Sequence, residues 1–310
     1  MYGIIINRVV QTIPILLIVI AVTFILIHAA PGGPFDEERT VPPEIVKSLN
    51  ERYHLDDPLY LQFYDYVIHI SHGDFGPSFK YPGYSVSEII ANGIPVTFEL
   101  GLYALLIALF IGISAGIIAA LKPNSLQDYL PMSFAMMGIC LPTYVLGPLL
   151  VLVFGVWLDW LPVSGWGLIP GDKLLPSITL GCAYAAYIAR ISRGGFLETL
   201  SRDFIRTARA KGLSPSIIIF RHAMPTALLP VVSFMGPALA GLLSGSFVVE
   251  TIFQIPGLGR YFVQAAFNRD YTLILGTSIF FATLIIFFNL LADITVAWLN
   301  PKSRDSAAHE

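Results

Sequence analysis

Six apolar stretches, at about 9–30, 97–120, 130–157, 174–191, 227–249 and 274–299, dominate the sequence. Each is long enough to cross a hydrocarbon core of about 30 Å as a helix. Nothing in that core can hydrogen-bond an exposed backbone, so a single segment crosses it by satisfying its own N–H and C=O groups, which only a helix does. The composition agrees: 55% of the 310 residues are hydrophobic and 13% charged, with a mean hydropathy of +0.71, far too apolar for a soluble domain of this length. The expected fold class is therefore an all-α integral membrane protein with six transmembrane helices.

Arg8 precedes the first stretch. A signal peptide is the rival reading there, but the apolar run is too long and Pro31 directly follows the small-residue pair Ala29-Ala30, so 1–30 is read as an uncleaved first helix. Residues 31–95 turn polar and aromatic and read as a folded extramembrane loop. It has helical stretches at 44–55, after Pro42-Pro43, and at 59–70, and it closes on HGDFGPSFKY with turns marked by Gly73, Gly76 and Pro77. His69 and His72, at i and i+3, amount to half a metal site. Only Asp74 stands near them in sequence, so they are read as solvated loop histidines.

The remaining five helices form a membrane domain over 96–299, followed by a short polar tail at 300–310. Gly112-x3-Gly116 and Gly241-x3-Gly245 have the small-residue spacing that lets membrane helices approach closely. Pro142 predicts a kink in the third stretch, and Pro230 and Pro237 an irregular fifth helix; both features suit the wall of a cavity. The loop at 159–173, with Trp160, Trp166, Pro162 and Pro170, suits a membrane interface. Cys140 and Cys182 fall inside apolar runs and are read as small hydrophobes, with no disulfide or metal role.

Between the fourth and fifth stretches, within a connecting loop at 194–225, lies SRDFIRTARAKG, a basic amphipathic segment at 201–212. At about 100° per residue, Arg202, Arg206 and Arg209 fall on one side of a helix, while Phe196, Leu197, Leu200, Phe204 and Ala208 fall on the other. Ser201 is the expected N-cap, with Asp203 in the first turn. Gly212 supplies the stop, and Ser214-Pro215 a fresh N-cap with Pro at N1, opening a second short helix toward Pro225. With the N-terminus inside, six spans place Arg8, Lys122, the 190–221 region, Lys302 and Arg304 on one side. That side holds eleven of the eighteen Lys and Arg, and the positive-inside rule makes it, and both termini, cytoplasmic. The net charge of −3 conceals this asymmetry.

Three function classes compete. An ion-coupled secondary transporter or channel keeps ionisable groups near mid-bilayer, whereas Glu99 and Glu250 fall at span ends and Asp293 near the cytoplasmic end of the last span. An intramembrane enzyme needs a nucleophile and base or a zinc motif within the spans, and the sequence contains no H-E-x-x-H. It contains no P-loop either, so as a transporter the chain takes its energy from a partner, with the basic segment as the surface to receive one. The competing reading of that segment is a juxtamembrane patch resting on anionic lipid.

Several motifs carry a resemblance. Arg206-Thr207-Ala208, Gly212 and His222-Ala223-Met224-Pro225 are similar to the E-A-A-x3-G-x9-I-x-L-P loop of ABC-importer membrane subunits, with Arg206 in place of the motif's Glu. APGGPF, GDFGPSF, DFIRTARAKGL, ETIFQIPGLG with its later RDY, and Asn300-Pro301-Lys302 extend the likeness over nearly the whole chain. Together they resemble the B-type permease subunits of bacterial oligopeptide importers. The resemblance implies an ABC type I importer permease fold in the inner membrane, with residues 202–212 as a cytoplasmic coupling helix that contacts an ATPase: Arg202, Asp203, Phe204, Ile205, Arg206, Thr207, Ala208, Arg209, Ala210, Lys211 and Gly212. It implies as partners a second permease subunit, two cytoplasmic ATPase subunits and a periplasmic peptide-binding protein, with membrane lipid around them and no nucleic acid. ATP and Mg would sit on the ATPases, with no cofactor or metal on this chain. Oligopeptides are the implied cargo; dipeptides, murein peptides and nickel complexes remain open. The PGLG loop reads equally as a structured turn or as part of an outer gate.

Overall fold

The computed structural model describes residues 2–30 and 56–299; the expected helix at 44–55 and the tail at 300–310 lie outside the described residues. The chain is built of helices: α1 (Tyr2–Ala29), α2 (Leu59–Ser71), α3 (Val86–Leu121), α4 (Leu126–Cys140), α5 (Thr143–Leu150), α6 (Leu174–Leu200), α7 (Asp203–Ala210), α8 (Pro215–Ile217), α9 (Met224–Ala227), α10 (Leu229–Gly245), α11 (Phe247–Ile252), α12 (Leu258–Asn268) and α13 (Tyr271–Leu299). Wide π-type turns extend α5 over Val151–Trp157 and join α8 to α9 over Ile218–Ala223. Among the described residues five helical segments are long and apolar enough to cross a membrane, and α4 with α5 makes a sixth if the bent pair counts as one span.

That pair departs from the simple kink expected at Pro142. The two halves meet at 110°. Pro142 has no N–H to give and sterically disfavours a helical Leu141, which sits at φ −95, ψ 116; the helix stops there and restarts at Thr143. The prolines of the fifth stretch act differently. Pro230 occupies the first turn of α10, where an N–H is not needed, and Pro237 lies inside the helix.

At the centre α3 and α6 lie along each other, and the reason is the absence of side chains at the crossing. A Cβ at Gly112 would stand 2.7 Å from the Ala185 carbonyl oxygen, and one at Gly116 2.5 Å from Ser192 Cβ. From the other side, a Cβ at Gly181 would stand 2.6 Å from the Ala104 carbonyl oxygen. Apolar helices gain nothing from hiding in one another rather than in lipid, so close backbone packing carries the association. The expected Gly112-x3-Gly116 contact is thus made. Of Gly241 and Gly245, only the first is used: Gly241 abuts the Tyr184 hydroxyl, while nothing lies within 4 Å of a Cβ at Gly245. Around this pair, Leu100, Leu175, Leu242, Phe253 and Ile255 form a fully buried core.

Helix α3 starts at Val86 rather than near 97, and the start is fixed locally. Ser85 Oγ accepts from Glu88 N at 3.2 Å, and Glu88 Oε2 accepts from Ser85 N at 2.9 Å, a reciprocal capping box.

Candidate functional site

The basic segment forms α7, and its boundaries differ from those expected. Helix α6 runs on to Leu200 instead of ending near 191, so Ser201 closes α6 and the extended residue Arg202 (ψ 153) opens α7 in its place. This break resets the helical phase. The buried face is Ile205 and Ala208, packed with Ala120, Phe196, Ile218, Ala223 and Ala227, whereas Phe204, expected on the apolar face, is 42% exposed. Arg202, Asp203, Phe204, Arg206, Thr207, Arg209, Ala210, Lys211 and Gly212 all face outward.

The end of α7 follows the sequence. Gly212 adopts φ +75, its N–H reaches the Arg209 carbonyl at 3.0 Å, and Leu213 N reaches that of Ala208 at 3.3 Å. These two bonds close a Schellman turn, which needs a left-handed residue at that position. Ser214 and Pro215 then open α8 as expected.

Electrostatically α7 presents four cations against one carboxylate. Arg202 pairs with Glu198 at 2.5 Å and Arg206 with Asp203 at 3.6 Å, all four side chains well exposed. Such pairs contribute about 0–1 kcal/mol and are readily exchanged for those of a partner. Arg209 and Lys211 make no ion pair among the described residues.

Sequence reasoning missed the burial of four acids, Glu250, Asp270, Asp128 and Asp172. Glu250, expected to close a span at its end, is fully buried in α11. Thr97 Oγ1 (2.9 Å), Ser246 Oγ (2.7 Å) and Arg260 N (3.0 Å) donate to its carboxyl group, while Thr97 Oγ1 accepts from Leu258 N at 2.9 Å. The side chain thus caps the N-terminus of α12 from a distance. The PGLG loop is a structured turn built around that carboxyl: a Cβ at Gly257 would stand 2.8 Å from Thr97 Oγ1, and one at Gly259 2.9 Å from Glu250 Oε2.

Asp270 joins two motifs that sequence left separate. It is fully buried and accepts from Ser78 Oγ, from Phe79 N and Lys80 N at 3.2 Å each, and from Leu273 N at 3.1 Å. One carboxylate therefore caps α13 and holds the GDFGPSFKY turn. Asp128, in the first turn of α4, takes both prongs of Arg193 at 2.6 Å.

The loop at 159–173 is tied down. Lys173 Nζ meets Glu99 Oε1 at 2.6 Å and lies 5.1 Å over the Trp166 ring, whose Nε1 donates to Glu99 Oε2 at 3.0 Å. This partnership lies well inside α3, not at its end. The hydrogen bond it donates to Glu99 holds the Lys173 ammonium above its usual range, against the opposing effect of burial. Burial by itself would raise Asp172, but the N–H groups of Ile169, Leu168 and Gly167 overcome it and keep the carboxyl below its usual range. His69 and His72 each direct Nδ1 to a backbone carbonyl of α2, at 2.7 and 2.9 Å. Cys140 is exposed at the break after α4, and Cys182 is half-buried.

A bundle of crossing helices interrupted by a short exposed basic helix is the ABC type I importer permease fold. The model of the binding-protein-dependent transport system inner membrane component matches residues 112–305, and that of its N-terminal region residues 1–101; the chain belongs to this family. It is 48% identical over 301 residues to the oligopeptide transport system permease protein OppB of Salmonella typhimurium, covering 97% of this chain and 98% of that protein. It is 43% identical over 287 residues to the dipeptide transport system permease protein DppB of Bacillus subtilis, covering 93% of each. In fold it resembles a chain of the inward-facing MetNI methionine ABC transporter (TM-score 0.55, 17% identity, 68% of this chain and 96% of that one) and one of an amino acid ABC transporter (TM-score 0.52, 16% identity, 68% and 94%). The chain is accordingly a multi-pass inner-membrane permease component of a transporter complex.

Proposed function

We propose that the chain is one of two permease subunits of an ATP-driven importer of oligopeptides, and that α7 is where its ATPase partners act on it. The observation that carries the reading is the two-sidedness of α7. Arg202, Arg206, Arg209 and Lys211 are exposed, the first two in exposed ion pairs, while Ile205 and Ala208 are buried in one apolar cluster with Ala120 at the end of α3, Phe196 near the end of α6, and Ile218, Ala223 and Ala227 of the segment that follows. A partner that grips the outer face therefore moves the helices behind the inner one, because close-packed contacts transmit displacement instead of absorbing it. Two cytoplasmic ATPase subunits with ATP and Mg supply the motion. A periplasmic peptide-binding protein delivers cargo at the opposite face, next to the 31–95 region, and both termini are cytoplasmic. The chain itself is not the enzyme and holds no cofactor.

Oligopeptides are favoured as cargo by near-full-length identity to proteins named for oligopeptide transport. The dipeptide-named relative favours a second reading, in which the same machinery carries shorter peptides. Reversing charge with Arg206→Glu/Arg209→Glu should abolish both peptide uptake and co-purification of the ATPases while the chain still inserts into the membrane. A variant that retains its ATPases and full uptake would dismiss α7 as the docking element, and uptake of peptides of graded length separates the two cargo readings.

A further inference from the structure

The ion pair between Asp128 and Arg193 lies outside every motif described so far, and its setting suggests a mechanical role. Arg193 stands on α6 about two turns before Leu200, where that helix hands over to α7. Its Nε donates to Asp128 Oδ1 and its NH2 to Oδ2, each at 2.6 Å; the Asp128 side chain is 3% exposed and that of Arg193 29%. Asp128 Oδ2 also accepts from Asn124 N at 2.9 Å, in the left-handed turn (Asn124 φ 59) that follows α3. One carboxylate therefore holds the turn after α3, the first turn of α4 and the stem of α7.

The remainder of the α4–α6 contact is apolar. Ala135 packs with Ala186 and Ala189, with Met132 and Ile139 beside them, and Gly138 lies where a Cβ would come within 2.5 Å of the Cys182 carbonyl oxygen. Small residues bring the two helices close, and apolar contacts are non-directional, so they hold one axial position less strictly than a directed polar pair does. The other polar contact between the two helices among the described residues is Arg190 NH2 to Met136 Sδ at 3.5 Å, a weak one. A two-pronged guanidinium–carboxylate pair has one register, and sliding one helix past the other breaks both bonds together.

We propose that Asp128 and Arg193 fix the axial register of α4 on α6, so that displacement of α7 is passed to the broken span and its 110° bend at Leu141-Pro142 instead of being lost as slippage. They are positioning residues for transport, acting through α4. The inference rests on the reading of α7 as the element the ATPases move.

The test uses the assembled transporter in proteoliposomes, with ATP hydrolysis and peptide uptake measured on the same preparation. Arg193→Lys keeps the charge but loses the second prong, and Asp128→Asn keeps the shape but loses the charge. Both should bind the ATPases and hydrolyse ATP, with peptide transported per ATP falling by roughly tenfold, in the range found for substitutions along coupling elements. Unchanged transport per ATP overturns the proposal. So does a parallel fall in hydrolysis and uptake, or failure of both variants to assemble, since each of these assigns the pair to folding alone. Arg206→Glu/Arg209→Glu run alongside tells the two ideas apart: retained ATPases there sink the docking role of α7, whereas intact coupling in the ion-pair variants sinks only the register role.

Discussion

At Gly257 and Gly259 the residue type is dictated by a side chain distant in sequence. Gly257 has φ −95, which any residue adopts, so the tight turn is not what excludes a side chain. Glu250 excludes it. A methyl group at Gly259 would press on the Phe247 Cα at 2.6 Å and on Glu250 Oε2 at 2.9 Å, one of them backbone and the other fixed by donors. Gly259→Ala should therefore destabilise the folded chain by about 1–3 kcal/mol, the cost of overpacking a full site. Gly245→Ala, with open space beside it, should be near neutral. Thermal unfolding in detergent compares the two, and equal midpoints would refute the account. The glycines were visible in the sequence, but their reason was not. It spans Thr97 to Glu250 to Leu258, and only tertiary structure brings those three together. Asp270 and Ser78 repeat the lesson: each motif was recognisable alone, and their union was not.

At the scale of elements, what could be read from sequence was what local physics decides. Spans appeared as apolar runs, the stop of α7 as Gly212, and the close approach of α3 and α6 as Gly112 and Gly116. What escaped depended on where one helix hands over to the next. Carrying the phase of 196–200 across the expected start at Ser201 put Phe204 on the wrong face; the break falls one residue later, at Arg202, whose side chain makes no capping hydrogen bond and so leaves no cap signal in the sequence. The loop at 159–173 reads in sequence as an interfacial belt, and the structure adds a charge latch that the sequence did not show. Its latch has a pH dependence whose sign follows from the two shifts. Asp172 has a depressed folded value, so its contribution is present at neutral pH and is lost as pH falls through that value; Lys173 has a raised one, so its contribution is lost only as pH climbs through it. Trp166, packed on Lys173, reports the state of the loop. In a chain whose only tryptophan is Trp166, emission should hold steady across neutral pH and shift toward that of exposed indole in acid. Asp172→Ala should remove the acceptor shared by the N–H groups of Leu168 and Ile169, loosen the loop, and produce the shifted emission at neutral pH. An acid transition that survives in this variant assigns the titration to another group.

For the whole molecule the decisive quantity is which side of the membrane α7 occupies, because ATP is on one side only. The basic residues that set the orientation are concentrated at 190–221, and α2 carries exposed aromatic side chains, Tyr60 at 76% and Tyr64 at 61%. If the positive-inside rule governs, these two surfaces lie on opposite sides of the bilayer. Single cysteines test this directly, once Cys140 and Cys182 have been replaced, since Cys140 is itself exposed. Tyr60→Cys should react with a membrane-impermeant maleimide in cells whose inner membrane is intact, and Arg209→Cys only after that membrane is opened. The opposite pattern would place the cations of α7 where no ATPase can reach them. It would leave Ile205 and Ala208 packed as they are but with nothing to drive, and the energy for transport would then have to enter through the opposite face, whose sequence has no run of basic residues like that at 202–211.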